Sequence, residues 1–145
     1  MDDRSERNLN GVHPDLVKVV RQTHADWTST HDGINDLIVT EGIRSPARQA
    51  ELVKAGASMT LNSRHLTGHA VDLACKVAGE IRWDWPPYHR LGQLMKANAR
   101  LLGVPIVWGG DWSYFRDGPH FELDRVHYPA PSTNGGHVEI VDKSA

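Results

Sequence analysis

Residues 63–72 read SRHLTGHAVD, and two of them, His65 and Asp72, carry side chains that bind borderline metal ions. Imidazole nitrogen and carboxylate oxygen both suit tetrahedral zinc. Thr67-Gly68 predicts a turn between them, after which the chain enters an apolar run at 70–74. A carboxylate inside an apolar strand is costly unless it is paired or bound to a cation. Asp72 therefore indicates half of a metal site.

A third ligand is offered by the sequence DGPHFEL at residues 117–123. His120 opens a strand-like run, and Asp117 precedes it by three residues across a Gly-Pro turn. Three protein ligands with an open fourth position are typical of catalytic zinc, and the metal lowers the pKa of water in that position toward about 7. A carboxylate beside the water can take its proton and later pass it to a leaving amine. Asp117 is the candidate for that general base and acid.

Two other histidines compete for the third ligand position. His137 follows two glycines as part of a second motif, but the residue three positions before it is Asn134, and an amide cannot act as a base. His69 adjoins the first motif, and we expect its side chain to point away from the metal or toward substrate. The motif with Asp117 and His120 supplies both a general base and a metal ligand, so His120 is preferred as the third ligand.

The paired motifs Ser-x-His-x-x-Gly-x-Ala-x-Asp and Asp-x-x-His-Phe resemble those of zinc peptidases that cut the stem peptides of peptidoglycan. That family includes D-Ala-D-Ala carboxypeptidases and dipeptidases, and the L-alanyl-D-glutamate endopeptidases used as phage endolysins. This short chain resembles the last group most, over residues 38–123. The resemblance implies Zn²⁺ bound by His65, Asp72 and His120, with Asp117 as the catalytic carboxylate. Many relatives carry Glu at that position.

The resemblance also suggests roles around the metal. Gly-x-Arg-Ser at 42–45 matches the family segment that bears a transition-state arginine, so Arg44 is expected to face the scissile carbonyl. Composition by itself favours a surface arginine paired with Glu41. The sequence WGGDW at 108–112 predicts an aromatic-walled groove, although a tight turn with core tryptophans fits the pattern equally well. We expect Asp111 to order this loop. The expected substrate contacts are Ser63, Trp108, Asp111 and Trp112.

Composition describes one ordinary globular domain spanning 1–145, with residues 1–10 and about 141–145 expected to be flexible. Charged residues make up 23% and hydrophobic residues 39% of the 145 residues. The net charge of −2 does not indicate a nucleic-acid-binding protein, which would be expected to carry an excess of basic residues. The single cysteine, Cys75, excludes an intramolecular disulfide and is expected to be a buried thiol.

The N-terminal sequence MDDRSER is charged and lacks the apolar core of a signal peptide. No segment approaches the roughly 18 apolar residues of a membrane span. We therefore expect a protein made in the host cytoplasm, with no membrane insertion. Nothing in the sequence suggests an oligomer, so a monomer is expected. It would act on the cell wall after release by a holin, with the peptidoglycan stem peptide as its partner.

Hydrophobic periodicity predicts an α+β domain: a small antiparallel sheet flanked by about three helices, with the zinc site on the sheet. By the resemblance, this is the fold of hedgehog and DD-peptidase domains. A chain break is expected at Trp85-Pro86-Pro87, and Asn98 interrupts the apolar stripe of the third helix. The predicted strands lie near 37–41, 70–77, 80–83, 105–108 and 119–123, and the helices near 14–27, 46–55 and 87–102.

Three functions share these motifs. The predicted one is zinc-dependent hydrolysis of the L-alanyl-D-glutamate bond, which needs an open groove. A D-Ala-D-Ala carboxypeptidase would need a closed pocket that captures a free carboxylate. A non-catalytic module that binds wall peptide would have lost a ligand or the base, whereas this sequence keeps all of them.

Overall fold

The computed structural model describes residues 1–29, 34–58 and 60–129. Within these ranges the chain forms helices around one antiparallel sheet, which confirms the predicted α+β class. His137 and the predicted flexible end at 141–145 lie outside the described residues. The helices are α1 Asp3–Leu9, α2 Pro14–Thr28, α3 Pro46–Lys54 and α4 Trp85–Leu102, and the strands are β1 Asp36–Glu41, β2 Ala70–Val77, β3 Glu80–Arg82, β4 Ile106–Trp108 and β5 His120–Leu123.

The sheet runs in the order β1-β2-β5-β4, and β3 pairs with β2 as a hairpin. Ala78 and Gly79, both at positive φ, form the hairpin turn. The pairing of β2 with β5 sets Asp72 directly opposite His120. Strand register therefore brings together two predicted ligands that are 48 residues apart in sequence.

The core lies between the sheet and the helices α2 and α4. Asn98 occupies the apolar stripe of α4 without disrupting it, because its Nδ2 donates to Thr23 Oγ1 at 3.1 Å and to Asp26 Oδ2 at 3.0 Å. A buried amide that finds partners on the neighbouring helix joins α2 to α4 instead of destabilising their contact. The other core positions of these two helices include Leu16, Val19, Val20, Leu91, Met95 and Ala99.

The prediction that residues 1–10 are flexible is wrong, because Asp3–Leu9 forms helix α1. Asp2 caps this helix by accepting a hydrogen bond from the Ser5 backbone nitrogen at 2.8 Å. Ser5 Oγ then accepts from the Val39 nitrogen at 2.9 Å, and Asn8 Nδ2 donates to the Val39 carbonyl at 2.8 Å. The polar side chains of α1 thus satisfy the edge strand β1, a role that hydrophobic periodicity does not reveal.

The predicted chain break at Trp85-Pro86-Pro87 is the first turn of α4. Proline fits this turn because the first backbone N–H groups of a helix have no intrahelical acceptor. No helix in the described ranges combines the length and apolar character that a membrane crossing requires.

Candidate metal and catalytic site

His65 lies on a short 3-10 turn, Arg64–Thr67, that leads into β2. Gly68 ends the turn at φ 77°, and a Cβ at this position would lie 2.5 Å from the Gly11 carbonyl oxygen. Only glycine fits this close approach. Ser63 begins the turn, and its Oγ accepts from the His65 nitrogen at 3.2 Å. Since Ser63 is only 2% exposed, it positions His65, and the predicted substrate contact does not fit its burial.

The fold brings His65, Asp72 and His120 together, with one possible ligand atom of each within 4.8 Å of the others. Asp72 Oδ1 lies 3.2 Å from His65 Nε2 and 3.3 Å from His120 Nδ1. Both imidazole rings are fully buried, while Asp72 is partly exposed. This cluster could hold a metal ion and leaves the Asp72 side accessible.

The outer nitrogen of each histidine has a fixed acceptor. His65 Nδ1 lies 2.8 Å from the Gly42 carbonyl oxygen, and His120 Nε2 lies 2.9 Å from Glu122 Oε1. Because a carbonyl or carboxylate oxygen needs a donor opposite it, these contacts place an N–H on the outer nitrogen of each ring. The inner nitrogens, His65 Nε2 and His120 Nδ1, both face Asp72 Oδ1, and each would offer a lone pair to a bound metal ion once it has lost its proton.

Charge within the cluster is tightly balanced. Burial favours the neutral form of Asp72, but the imidazoles of His65 and His120 outweigh burial and hold the pKa of Asp72 well below its usual range. Burial lowers the pKa of His120, yet its hydrogen bonds to Asp72 and Glu122 raise it to about 10. The two carboxylates on either side of His120 thus favour positive charge at this point of the cluster.

Asp117 lies on the loop that leads into β5, with its carbonyl accepting from the His120 nitrogen at 3.2 Å. Burial raises the pKa of Asp117 to about 6, and the Asp72 carboxylate adds to the rise, while His120 and Arg44 oppose it. Within the described residues, no side chain of the cluster donates a hydrogen bond to its carboxylate. A carboxyl group with a pKa near neutrality suits a general base.

Gly109 explains why the loop comes so close to the cluster. The Asp117 nitrogen donates to the Gly109 carbonyl at 3.0 Å. A Cβ on Gly109 would lie 2.4 Å from the Asp117 carbonyl oxygen and 3.1 Å from the Cβ of His120. Glycine at this position thus lets the backbone pack directly against both residues.

Arg44 is buried behind Asp72. Its Nε and Nη2 donate to the two carboxylate oxygens of Glu41 at 2.7 and 2.9 Å, and its Nη1 donates to Gln49 Oε1 at 2.8 Å. Its Nη2 also lies 3.4 Å from Asp72 Oδ2. Arg44 pairs with Glu41, as composition suggested, but it is only 4% exposed and not on the surface. Its role toward the scissile carbonyl stays a prediction.

The WGGDW segment is mainly structural. Trp108 is 4% exposed, and its Nε1 donates to the Gly118 carbonyl at 2.7 Å, so it is a core tryptophan and not a groove wall. Asp111 pairs with Lys96 Nζ at 2.5 Å and ties the loop to α4. Trp112 lies against the cluster, with its ring 5.1 Å from that of His120.

Sequence reasoning missed Glu122 and Gln49. Glu122 lies two residues after His120, and strand alternation places both side chains on the same face of β5. That spacing could have identified Glu122 as the partner of His120. Gln49 contacts Arg44 from a helix that follows a loop, and its sequence position carries no comparable signal.

The sequence matches the family model of the phage L-alanyl-D-glutamate peptidase over residues 1–141. The chain belongs to this family. Membership confirms the resemblance expected from the two motifs and the predicted class of enzyme, a peptidase. The matched range contains the whole His65, Asp72 and His120 cluster together with Asp117.

Named relatives agree with this membership. The chain is 33% identical to the L-alanyl-D-glutamate peptidase of Escherichia phage T5, with 94% of each sequence covered. It is 36% identical to that of Listeria phage A118, and there it spans 96% of its own length but about half, 53%, of the relative. Among bacterial proteins, the peptidoglycan L-alanyl-D-glutamate endopeptidase CwlK of Bacillus subtilis (strain 168) is 36% identical, over 77% of this chain and 75% of CwlK.

A solved structure shares the fold. The L-Ala D-Glu endopeptidase ChiX of Serratia marcescens superposes with a TM-score of 0.80 and 46% sequence identity, covering 90% of this chain and 93% of ChiX. The sheet and the helices described above therefore share the fold of this endopeptidase.

Proposed function

We propose that this chain is a zinc-dependent endopeptidase that hydrolyses the L-alanyl-D-glutamate bond of peptidoglycan stem peptides. The observation that carries the proposal is the cluster of His65, Asp72 and His120 with Asp117 beside it, in a member of this peptidase family. Hydrogen bonds to Gly42 and Glu122 orient the two imidazole rings, which is the arrangement that a tight metal site needs.

Zinc is the metal that these residues suit best. Two imidazole nitrogens and one carboxylate oxygen form the donor set of several catalytic zinc sites, whereas magnesium and calcium prefer oxygen ligands throughout. When bound, a zinc ion supplies Lewis acidity, which polarises a carbonyl group and acidifies water. His65 Nε2, Asp72 Oδ1 and His120 Nδ1 are the atoms that would hold it.

Asp117 moves the proton. A pKa of about 6 leaves its carboxylate ionised at neutral pH, so it can accept a proton from the attacking water. The protonated Asp117 then donates to the nitrogen of the D-glutamyl residue as that nitrogen leaves. Arg44 holds Asp72 from behind and, by the resemblance, opposes the negative charge that develops on the carbonyl oxygen.

Three finer points are part of the proposal. The enzyme acts as a monomer, it is made in the host cytoplasm, and a holin releases it to the wall. Size-exclusion chromatography with light scattering tests the first point. Expression with and without a holin tests release, because lysis should then require both proteins.

Digestion of purified Gram-negative peptidoglycan, followed by mass spectrometry of the new termini, tests the reaction. The proposal predicts new N-terminal D-glutamate, lost with a chelator and restored by zinc. Release of terminal D-alanine would assign a carboxypeptidase instead. A zinc-loaded sample that binds the wall without cutting it would indicate a binding module.

A further inference from the structure

A small cavity of about 190 Å³ lies on the Asp117 side of the site. Its walls combine aromatic rings with one cation. Trp83 is 65% exposed and stacks on Tyr88 with an interplanar angle of 7°, and Trp85 is 38% exposed. The lining residues include Trp83, Trp85, Tyr88, Arg116, Asp117 and Pro119. The metal-ligand cluster uses none of the aromatic residues or Arg116.

Arg116 is held in this cavity by two contacts. Its Nε donates to the Gly110 carbonyl at 3.2 Å, and its guanidinium carbon lies 4.2 Å from the centre of the Trp85 ring. Stacking on an aromatic face fixes the plane of a guanidinium group. Within the described residues no carboxylate pairs with Arg116, so its terminal nitrogens are available to an anion.

The proposed reaction places an anion at this point. Asp117 must contact the leaving nitrogen of the D-glutamyl residue in order to donate a proton to it. A glutamyl residue has two carboxyl groups, and a linear stem peptide uses one. In peptidoglycan the stem continues through the side-chain carboxyl, so the free α-carboxylate is two bonds from the leaving nitrogen. A group that close to the nitrogen must lie beside Asp117.

The size of the cavity favours one residue over a sugar chain. Pockets for drug-sized ligands measure roughly 300–1,000 Å³, and a disaccharide of the glycan strand belongs to that class. A cavity of about 190 Å³ is too small for it but suits a single amino-acid residue. The guanidinium group of Arg116 is exposed, and its terminal nitrogens present a planar fork that matches a carboxylate bidentately.

We propose that Arg116, in the cavity formed with Trp85 and Asp117, binds the free α-carboxylate of the D-glutamyl residue and selects stem peptides that carry it. This inference rests on the proposed function, because it assumes that the D-glutamyl nitrogen is the leaving group. The enzyme then discriminates against peptides whose α-carboxylate has been converted to a carboxamide.

Two synthetic stem peptides test the proposal, one with the α-carboxylate of D-glutamate and one with the α-carboxamide. We expect wild-type enzyme to have a kcat/KM about 10- to 100-fold higher for the carboxylate, the range of a hydrogen bond to a charged group. In Arg116→Gln this ratio should fall to near unity, mainly through KM for the carboxylate peptide. Arg116→Lys, which keeps the charge but loses the fork, should give an intermediate ratio.

Arg90→Gln is the matched control, because Arg90 also stacks on a tryptophan, with its guanidinium carbon 5.3 Å from the Trp27 ring. It should keep the wild-type ratio. Equal cleavage of both peptides by wild type, or an unchanged ratio in folded Arg116→Gln, would overturn the inference while leaving the proposed function intact. Cleavage of neither peptide by zinc-loaded wild type would instead refute the proposed function.

Discussion

The metal-ligand side and the Asp117 side of the site are built in different ways. His65 and His120 are buried, and each has a hydrogen-bond acceptor on its outer nitrogen. Asp72 is held by both rings and by Arg44. Asp117 lies on a loop and is fixed through its backbone, by bonds to Gly109 and His120. The carboxylate of Asp117 keeps its hydrogen-bonding capacity for the reacting groups.

This difference follows from what each side must do. Ligands have to keep one geometry, so buried partners that saturate their outer atoms are an advantage. A general base has to exchange protons with water and with the leaving amine, so partners on its carboxylate would compete with the substrate. The two sides should therefore respond differently to substitution: changes on the ligand side affect metal binding, and changes on the loop side affect turnover.

The largest effect is expected from His65→Ala. Removing one of three ligands from a buried site leaves two, which do not retain zinc against dilution or a chelator. Both metal content and activity should fall to the detection limit, measured by elemental analysis and by peptidoglycan digestion. His127→Ala is the control, since the side chain of His127 is 66% exposed and contacts Asp124 away from the cluster. Full zinc binding by His65→Ala would contradict the assignment of His65 to the metal-ligand side.

Glu122→Gln should weaken metal binding without abolishing turnover. Glu122 is 3% exposed and orients His120 through its charged Oε1, and loss of such a partner costs about 10- to 100-fold in metal affinity. Zinc titration against a competing chelator measures the affinity, and kcat at saturating zinc should stay near the wild-type value. Glu51→Gln, at a position 72% exposed, is the control. Wild-type affinity in Glu122→Gln would show that this contact is dispensable.

Asp117→Asn should change the pH dependence of stability in metal-free protein. The pKa of Asp117 rises from 3.8 to about 6 on folding, so its stabilising contribution is complete below pH 4 and is lost as the pH rises through about 6. The full shift corresponds to about 3 kcal/mol. Because Asp117 is partly exposed to solvent, we expect the ionised carboxylate to cost on the order of 1–2 kcal/mol above that pH. Asp117→Asn avoids this cost.

Thermal unfolding in a chelator measures the effect. At pH 8 the Tm of Asp117→Asn should exceed that of wild type by about 2–8 °C, and the difference should vanish near pH 4. A Tm difference that is the same at both pH values would mean that the Asp117 carboxylate is not buried as described.

The smallest effect is expected from Asp111→Asn. Asp111 ties the loop to α4 through Lys96, but the Asp111 side chain is 53% exposed, and exposed ion pairs contribute about 0–1 kcal/mol. Activity should therefore fall by no more than about fivefold, with zinc affinity unchanged. A larger loss of turnover would show that the Asp117 loop depends on the ion pair between Asp111 and Lys96 for its position.

Sequence predicted the ligand side better than the loop side, for physical reasons. Asp72 stands out because a carboxylate in an apolar strand needs a cation, and strand pairing then delivers His120 to it. Ser63 and Trp108 were expected to touch substrate, yet both are buried. The sequence could not show this burial, because a motif does not reveal which way a side chain points. Helix α1 was missed because its contribution comes from polar side chains that bond to β1.

The central claim is that Asp117 acts on protons and not on the metal, and one paired measurement tests it. Zinc affinity and kcat are determined for Asp117→Asn alongside wild type. We expect wild-type zinc affinity together with a kcat that is lower by about 10²- to 10⁴-fold, the usual contribution of a general base. Loss of zinc from Asp117→Asn, or turnover at the wild-type rate with zinc bound, would contradict it.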